Sequence, residues 1–573
     1  MSSRLSKISP QFKTILWELG AITTLIIATI LVNWKIIKYG VIFESHDLHH
    51  HVRWLQYFSK QITEGIIYPR WLAGTNYGYG SPTFVFYPPL VYYIGSLFKT
   101  IGLNAERTIV SLFSLAVFLS SFNFYLYGRS KWNRVAVILG AITYIVFPYI
   151  AYNIYNRGAL AEAWALVFIP LGLLLTDKAI INSKWQPVLA VFFAFLALTH
   201  VPSLLLYTIF WLAYIIFLAF KHSFKSLLPV LLVPTVGFGL ASVYLLPAVL
   251  EKSLVSIATM KTVKGGFINN IIGFEADNNT QGHIRSIFTY GVFSGTLLGT
   301  AGLYIYRTHT KHFKETLCWI TFFLTSLFLM TYLSVPVWQM SSTLQMVQFP
   351  WRLLGLLSFC IAGLLSMVAN SIFSHKKHFS QKLLLSGLII GLLLLNGRYS
   401  YILSLRYSGF NNPGDLTSAK VKESWKTKSF QLVETGIFDP YTNKLKDAYE
   451  YYPLLSKTGL PAQEPVIGQP RIFVTKGDAA VKIKRWGSYR RIFNLEVKDS
   501  SIIRVKTYYY PAWHLYINNQ LHPIKVSDDG TIKFELQAGS YQAKLVYGWT
   551  RALILGTIVS SLSLILLVIW VYI

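Results

Sequence analysis

FESHDLHHHVRWLQYFSKQITEGIIYPRWLAGTNYGYGSPTFVFYPPL occupies residues 43–90, directly after the first long apolar run. Its closing residues, FVFYPPL, begin a segment, 84–103, that is apolar enough to enter a bilayer. Pro88 and Pro89 spoil regular helix at its start, because each ring removes a backbone donor and crowds the preceding turn. If 84–103 crosses, every later loop changes side. If it lies flat or re-enters, they do not.

The chain around it has membrane composition. Of 573 residues, 53% are hydrophobic and only 13% charged, with a mean hydropathy of +0.45. Apolar runs of about 20 residues match the hydrocarbon thickness and recur at 15–34, 107–127, 135–151, 162–177, 187–199, 202–220, 227–248, 287–305, 316–334, 351–370, 383–397 and 549–572. Several are short and need tilt or a thinned bilayer. The first, Ile15 to Val32, is long for a signal sequence and lacks a small-residue cleavage site, so it reads as an uncleaved helix.

Charge then fixes parity. Basic residues cluster in short segments: Arg4, Lys7 and Lys13; Arg129, Lys131 and Arg134; Lys178 and Lys184; Lys221 and Lys225; Arg307, Lys311 and Lys314; Lys376, Lys377 and Lys382. With 84–103 not crossing, all of them fall on the cytoplasmic side, as positive loops should. Loops 35–106, 152–161, the His200-Val201-Pro202 turn, 249–286, 335–350 and 398–548 then share the other face. The expected location is the cytoplasmic membrane, with a cytoplasmic N-terminus and an extracytoplasmic working face. The net charge of +28 is thereby a matter of topology, with a bonus for anionic headgroups or phosphates, and does not call for nucleic acid.

Residues 398–548 are far less apolar. SGFNNPGDLTSAKVKESWKTKSF reads as polar loop and some helix. From about 468, RIFVTK, VKIKRW, RRIFNLEV, SIIRVKTYYY, HLYINNQ, TIKFELQ and SYQAKLVYG alternate as short strands separated by turn residues such as Asp528-Asp529-Gly530. The expected fold is a polytopic α-helical membrane protein of about 12 spans (1–397), an extracytoplasmic, mainly β, sandwich-like domain (398–548) and a final helix (549–573). No nucleotide-binding glycine loop occurs. Cys318 and Cys360, both in apolar runs, make neither a disulfide framework nor a zinc site.

Asp47 heads the candidates for chemistry. A carboxylate near the outer interface can take a proton from an acceptor hydroxyl. It can equally pair with Arg53 or Arg70, or cap the helix expected over Leu48–Lys60. Glu44 is a second carboxylate that either shares a metal with Asp47 or faces solvent. His49, His50 and His51 are spread by 100° per residue on a helix and cannot all face one ion; one of them, or His46, can reach a site. Arg70, in a rigid aromatic turn, suits a phosphate through its planar fork or anchors the interface. Arg157 and Glu162 either pair and shape a site or act separately. His200 sits in a tight turn and Arg352 opens a span. Several cations at helix mouths can converge on one anion, or each can snorkel alone. Tyr77, Tyr79 and Tyr87 are candidates for a sugar site or for packing.

SHDLHHHVRW, GIIYPRW, NYGYGSPTFVFYPPL, YNIYNRGALAEAWALVFIPL, LTHVPS and VQFPWRLLG together resemble the bacterial membrane family labelled 6-pyruvoyl-tetrahydropterin synthase-related, similar to the YfhO-like proteins and grouped with the GT-C glycosyltransferases. The tail, VKTYYYPAWHLYINNQ and LQAGSYQAKLVYG, resembles the YfhO-like β-domain. Nothing here resembles the spaced zinc ligands of pterin synthases. The resemblance implies transfer of a sugar from a polyprenyl-phosphate carrier to a glycan, lipid or protein acceptor, with flat helices in the first outer loop. Asp47 matches the family's acidic position and implies an inverting general base. Glu162 only approximates the second acid, which leaves a divalent metal open, with Glu44 or His50 as further ligands or acid. Arg70, Arg157 and Arg352 would hold the phosphate. The rival roles are a lipid-linked glycan transporter and an inactive scaffold for envelope assembly.

Overall fold

The computed structural model describes residues 9–40, 45–261, 266–273, 279–374, 378–407, 446–455 and 458–572. The polar stretch SGFNNPGDLTSAKVKESWKTKSF and Glu44 lie outside the described residues.

Every expected apolar run is helical. Among the described residues nine helices are long and apolar enough to cross a membrane, or ten if a bent pair counts as one span. The chain is a multi-pass membrane protein. Three of the twelve runs are not among the nine: 287–305, which lies in the helix Asn279–Tyr306, and two that depart from simple spans. The run 187–199 forms Gln186–Ala197, of 12 residues; at 1.5 Å per residue that is about 18 Å, short of a ~30 Å core.

The run 227–248 is broken into Phe224–Leu240 and Ser242–Leu250, which meet at 75°. Pro247 lies in the first turns of the second piece, where its ring crowds the carbonyl four residues back. The last helix, Arg551–Tyr572, makes the break tenable. Ser560 Oγ accepts from Val243 N at 2.8 Å and lies 2.9 Å from the Leu240 carbonyl. Backbone groups freed in an apolar setting are thus satisfied from a neighbouring helix. Gly556 permits the approach, since a Cβ there would sit 2.4 Å from the Ser242 carbonyl.

The first long loop forms short helices that pack on the bundle. Helix Leu48–Thr63 buries Leu48, Val52, Leu55 and Ser59, the three-four spacing of an amphipathic face. It packs against Leu90–Thr100 and Ala105–Gly128. Leu90–Thr100 begins just after Pro88-Pro89 and has 11 residues, about 16 Å and too short to span. Its first amide donates to the Leu198 carbonyl at 2.9 Å, which ties it to the turn before His200.

Two antiparallel sheets form a sandwich. One has the order β1 (Ile472–Lys476), β4 (Ser501–Tyr508), β8 (Thr531–Leu536), β7 (Lys525–Val526). The other runs β2 (Ala479–Trp486), β3 (Arg490–Val497), β9 (Gly539–Tyr547), β5 (Trp513–Ile517), β6 (Gln520–His522). Inward residues of β3 and β4, among them Phe493, Leu495, Ile503 and Val505, are buried. HLYINNQ, expected as one strand, is instead a hairpin corner. Asn518 and Asn519 take φ of 49° and 66°, the left-handed pair that a tight β-turn requires.

The sandwich is docked on the first loop. Trp71 is fully buried, with ring centroids 5.6 Å from Trp513 and 5.5 Å from Tyr547. Gly80, at φ +80°, leaves room for the indole, which a Cβ would contact at 2.4 Å. Arg70 Nη2 donates to the Gly548 carbonyl at 3.0 Å, where β9 turns into the last helix. At the far end of the bundle Glu18 pairs with Arg129 at 2.8 Å and Asp177 with Lys131 at 2.8 Å. Asp177 and Glu162 share the helix Leu160–Ile181, about 22 Å apart along its axis. The basic loops 129–134 and the loops around residues 47 and 157 therefore occupy opposite ends.

Trp71→Ala removes the plug between loop and sandwich. A buried Trp truncation costs about 3–5 kcal/mol. The variant is expected to melt earlier in detergent and to release the sandwich to limited proteolysis while helix content by circular dichroism is kept.

Candidate functional site

The site is built where the chain 148–158 leaves its span. Pro148 opens a short helix, and Tyr152–Arg157 widens into a π-turn that ends at Gly158 with φ +63°. The turn presents its carbonyls to the first loop: His46 N donates to the Asn156 carbonyl at 3.1 Å and Asp47 N to the Arg157 carbonyl at 2.9 Å. Any Cβ on Gly158 would lie 2.6 Å from Ser45 Oγ and 2.7 Å from Leu48 Cβ. Glycine is thus required both by conformation and by space.

Arg157, Glu162 and Arg352 meet in the interior. Glu162 Oε2 accepts from Arg157 Nη1 at 2.6 Å and from Arg352 Nε at 3.1 Å, and its Oε1 accepts from the Tyr149 hydroxyl. Arg157 also donates to Asn153 Oδ1 at 2.7 Å, and Arg352 to the Val347 carbonyl. The two guanidiniums lie over aromatic rings, Arg157 4.7 Å from the centroid of Trp351 and Arg352 4.9 Å from that of Phe349. Exposure is 4%, 3% and 8% for Arg157, Glu162 and Arg352. Two cations on one carboxylate leave one net positive charge in a nearly water-free position, where charge without a counter-ion is costly.

These groups line a cavity of about 1010 Å³ that also receives Asp47, His50, His200 and Tyr87. Asp47 stands at the N-cap of Leu48–Thr63, yet its side chain makes no capping bond. Among the described residues its carboxylate has no hydrogen-bond or ion-pair partner, so neither structural alternative, cap or ion pair, occupies it. Burial pushes the His51 imidazole down to about 4, against the pull of Asp47; its Nδ1 is 2.6 Å from the Tyr92 hydroxyl. Burial, with His49 and Arg53, holds His50 well below its usual value. His200 is pushed down to about 3 by burial and then by Arg352, and its Nδ1 is 2.8 Å from Ser203 Oγ. All three rings are neutral at pH 7. Among the described residues no three His, Cys, Asp or Glu side chains gather as a metal site.

Other candidates go elsewhere. Arg70 is spent on Gly548 and on the ring of Tyr547, 5.1 Å away. Tyr79 packs at a tilt against Tyr508 with centroids 5.1 Å apart, and Tyr77 lies in the same turn. None of the three lines the cavity. Arg70 and Tyr79 belong to the seat of the sandwich, because the loop's aromatic turn is consumed in holding a domain far along the chain.

Three acids of the cavity lining escape a reading of the sequence: Asp447 and Glu450 in KDAYEYY, residues 446–452, and Glu464, which pairs with Lys446. Asp447 Oδ1 accepts from Trp54 Nε1 at 2.7 Å, its Oδ2 from the Thr83 hydroxyl, and its backbone N donates to Asn76 Oδ1 at 2.8 Å. Burial raises the Glu450 carboxyl to about 7, and the negative charges of Asp447 and Asp47 push the same way. The only signal in the sequence is two acids interleaved with tyrosines without strand or helix period.

No family model matches the chain, and no curated protein matches it. Among solved structures it is similar to the crystal structure of the Archaeoglobus fulgidus oligosaccharyltransferase tethered with an acceptor peptide containing the NVT sequon via a disulfide bond. The TM-score is 0.41, with 15% identity over 75% of this chain and 60% of that one. The chain thus spans less than two thirds of that protein's length.

Glu162→Gln leaves Arg157 and Arg352 without a counter-charge. Removing one member of a buried ionic network costs about 3–5 kcal/mol. Thermal unfolding in detergent is expected to show a clear drop in Tm, larger than for His200→Ala, whose ring makes one side-chain hydrogen bond.

Proposed function

We propose that the chain is a GT-C-type membrane glycosyltransferase that moves a sugar from a polyprenyl-phosphate carrier to an acceptor at the membrane face bearing the sandwich. One observation carries this reading: an unpartnered carboxylate, Asp47, shares a cavity wall and a backbone hydrogen bond with a buried network that holds one net positive charge. A base and an anion seat, side by side, are what displacement of a phosphate by a hydroxyl requires. The quoted motifs add the GT-C resemblance and its YfhO-like relatives.

Arg157 and Arg352 would face the donor phosphate, with Glu162 fixing their forks. Arg70 has no part in this, since it is engaged at Gly548. The acceptor oxygen attacks the anomeric carbon and forms the new C–O bond. Its proton passes to Asp47, and the bond to the phosphate oxygen breaks with its electron pair leaving on phosphate. Attack opposite the leaving group inverts the anomeric centre. Apolar residues of the same cavity, Val201, Leu245, Ala248 and Val249, would receive the first isoprene units. Val201 and Val249 are 40% and 56% exposed, so the cavity wall continues toward lipid. We take this end as extracytoplasmic because the basic loops lie at the other end. A transporter would use the same cations but would give Asp47 no task.

General-base removal costs about 10²–10⁴-fold in rate. Asp47→Asn is expected to keep expression and Tm while losing release of polyprenyl phosphate from a radiolabelled polyprenyl-phosphate hexose by that factor. Full activity in the variant removes Asp47 from the mechanism. No release by the wild-type chain from any polyprenyl-phosphate sugar overturns glycosyl transfer itself.

A further inference from the structure

We propose that Glu450 binds the acceptor, and that the acceptor is a carbohydrate offering neighbouring hydroxyls to Asp47 and Glu450. This rests on the glycosyl-transfer reading and names the acceptor class of that site.

Glu450 reaches the cavity from the far side of the chain, and its segment is held from two directions. Asp447 is bound by Trp54, Thr83 and Asn76 of the first loop. Beyond it, Ser256 N donates to the Tyr452 carbonyl at 3.0 Å, Leu454 N to the Leu254 carbonyl at 2.8 Å, and Val255 pairs with Pro453. A side chain between two such clamps has little freedom to leave. Among the described residues, Glu450 makes no ion pair and no hydrogen bond to another residue. It and Asp47 are thus two unengaged carboxylates lining one cavity, close enough for Asp47 to act on the charge of Glu450.

The surroundings are those of a sugar and not of a cation. Tyr451 packs 5.9 Å from Trp54 and 6.5 Å from Tyr87, centroid to centroid, and all three line the cavity. Aromatic faces carry negative potential and attract polarised C–H groups, as on one face of a pyranose ring. The net positive arginine network lines the same cavity and disfavours a cationic acceptor beside it. A carboxylate accepts strong hydrogen bonds from hydroxyls, and two of them lining one cavity can serve neighbouring hydroxyls of one ring. One hydroxyl loses its proton to Asp47 as its oxygen bonds the anomeric carbon. The neighbour donates a hydrogen bond to Glu450 and keeps its proton.

The full chain in detergent, with a radiolabelled polyprenyl-phosphate hexose as donor, is assayed with water, an octyl hexoside or an asparagine peptide as acceptor. Binding of the octyl hexoside alone is measured by calorimetry. Loss of a hydrogen bond to a charged group is worth about tenfold or more. Glu450→Gln and Glu450→Ala are expected to raise KM for the hexoside and weaken its binding by about that factor, with hydrolysis to water within about twofold of wild type. Three results overturn the proposal: unchanged hexoside KM and affinity in both variants, equal loss of hydrolysis and transfer, or transfer to the peptide in preference to the hexoside. If wild type binds hexoside and Glu450→Gln does not, yet no donor is turned over, the carbohydrate site stands and glycosyl transfer falls.

Discussion

One carboxylate between two guanidiniums organises this molecule. Glu162, Arg157 and Arg352 come from the start of one helix, the end of another and the mouth of a third. None could be buried alone: each unpaired charge would cost several kcal/mol in desolvation. Their union fixes the three helix ends relative to each other. The surplus positive charge is the consequence. It cannot be cancelled from within the triad, and the neighbouring histidines, held neutral by burial, neither add to it nor relieve it. The cavity lining as a whole carries as many acids as bases, so it is the position directly beside the two arginines that favours an anion.

The second constraint is backbone pairing. The π-turn Tyr152–Arg157 leaves carbonyls pointing out of the helix, and residues 46 and 47 answer them with their amides. The position of Asp47 is therefore set by main chain, while its side chain is left unengaged. A residue that serves as an N-cap by position without making the capping bond forgoes a modest stabilisation, about 1 kcal/mol. Such local loss is common where a group is kept for chemistry.

Much of the architecture was legible because it depends on local pattern. Twelve apolar runs, two adjacent prolines and strictly alternating strands report period and length, which nearest neighbours decide. The broken span was not legible, since the repair of its backbone comes from Ser560, more than 300 residues away in sequence. The site divided along the same line. Asp47, Arg157, Glu162, His200 and Arg352 flank helix ends, so topology alone brings them to one end of the bundle. Arg70 and Tyr79 flank the same region but were captured by Gly548 and Tyr508 of the sandwich. Asp447 and Glu450 enter only through tertiary contacts with Trp54, Asn76 and Thr83, for which no periodicity exists.

The sandwich, the last helix and the cavity wall form one mechanical unit. Trp71 and Arg70 hold β9 where it becomes the last helix. Ser560 of that helix props the 75° break, and the second piece of the broken span supplies Leu245, Ala248 and Val249 to the cavity. On the other side, Asp447 ties the strap carrying Glu450 to Trp54 on the helix Leu48–Thr63. A swing of the sandwich away from the bundle would have to break the Trp71 seat and the Arg70 bond together. Groups fixed in this manner lose little energy to reorganisation when charge moves. The arrangement is that of a preformed pocket whose two walls are cross-braced through the β-domain, in contrast to a cleft assembled by domain closure.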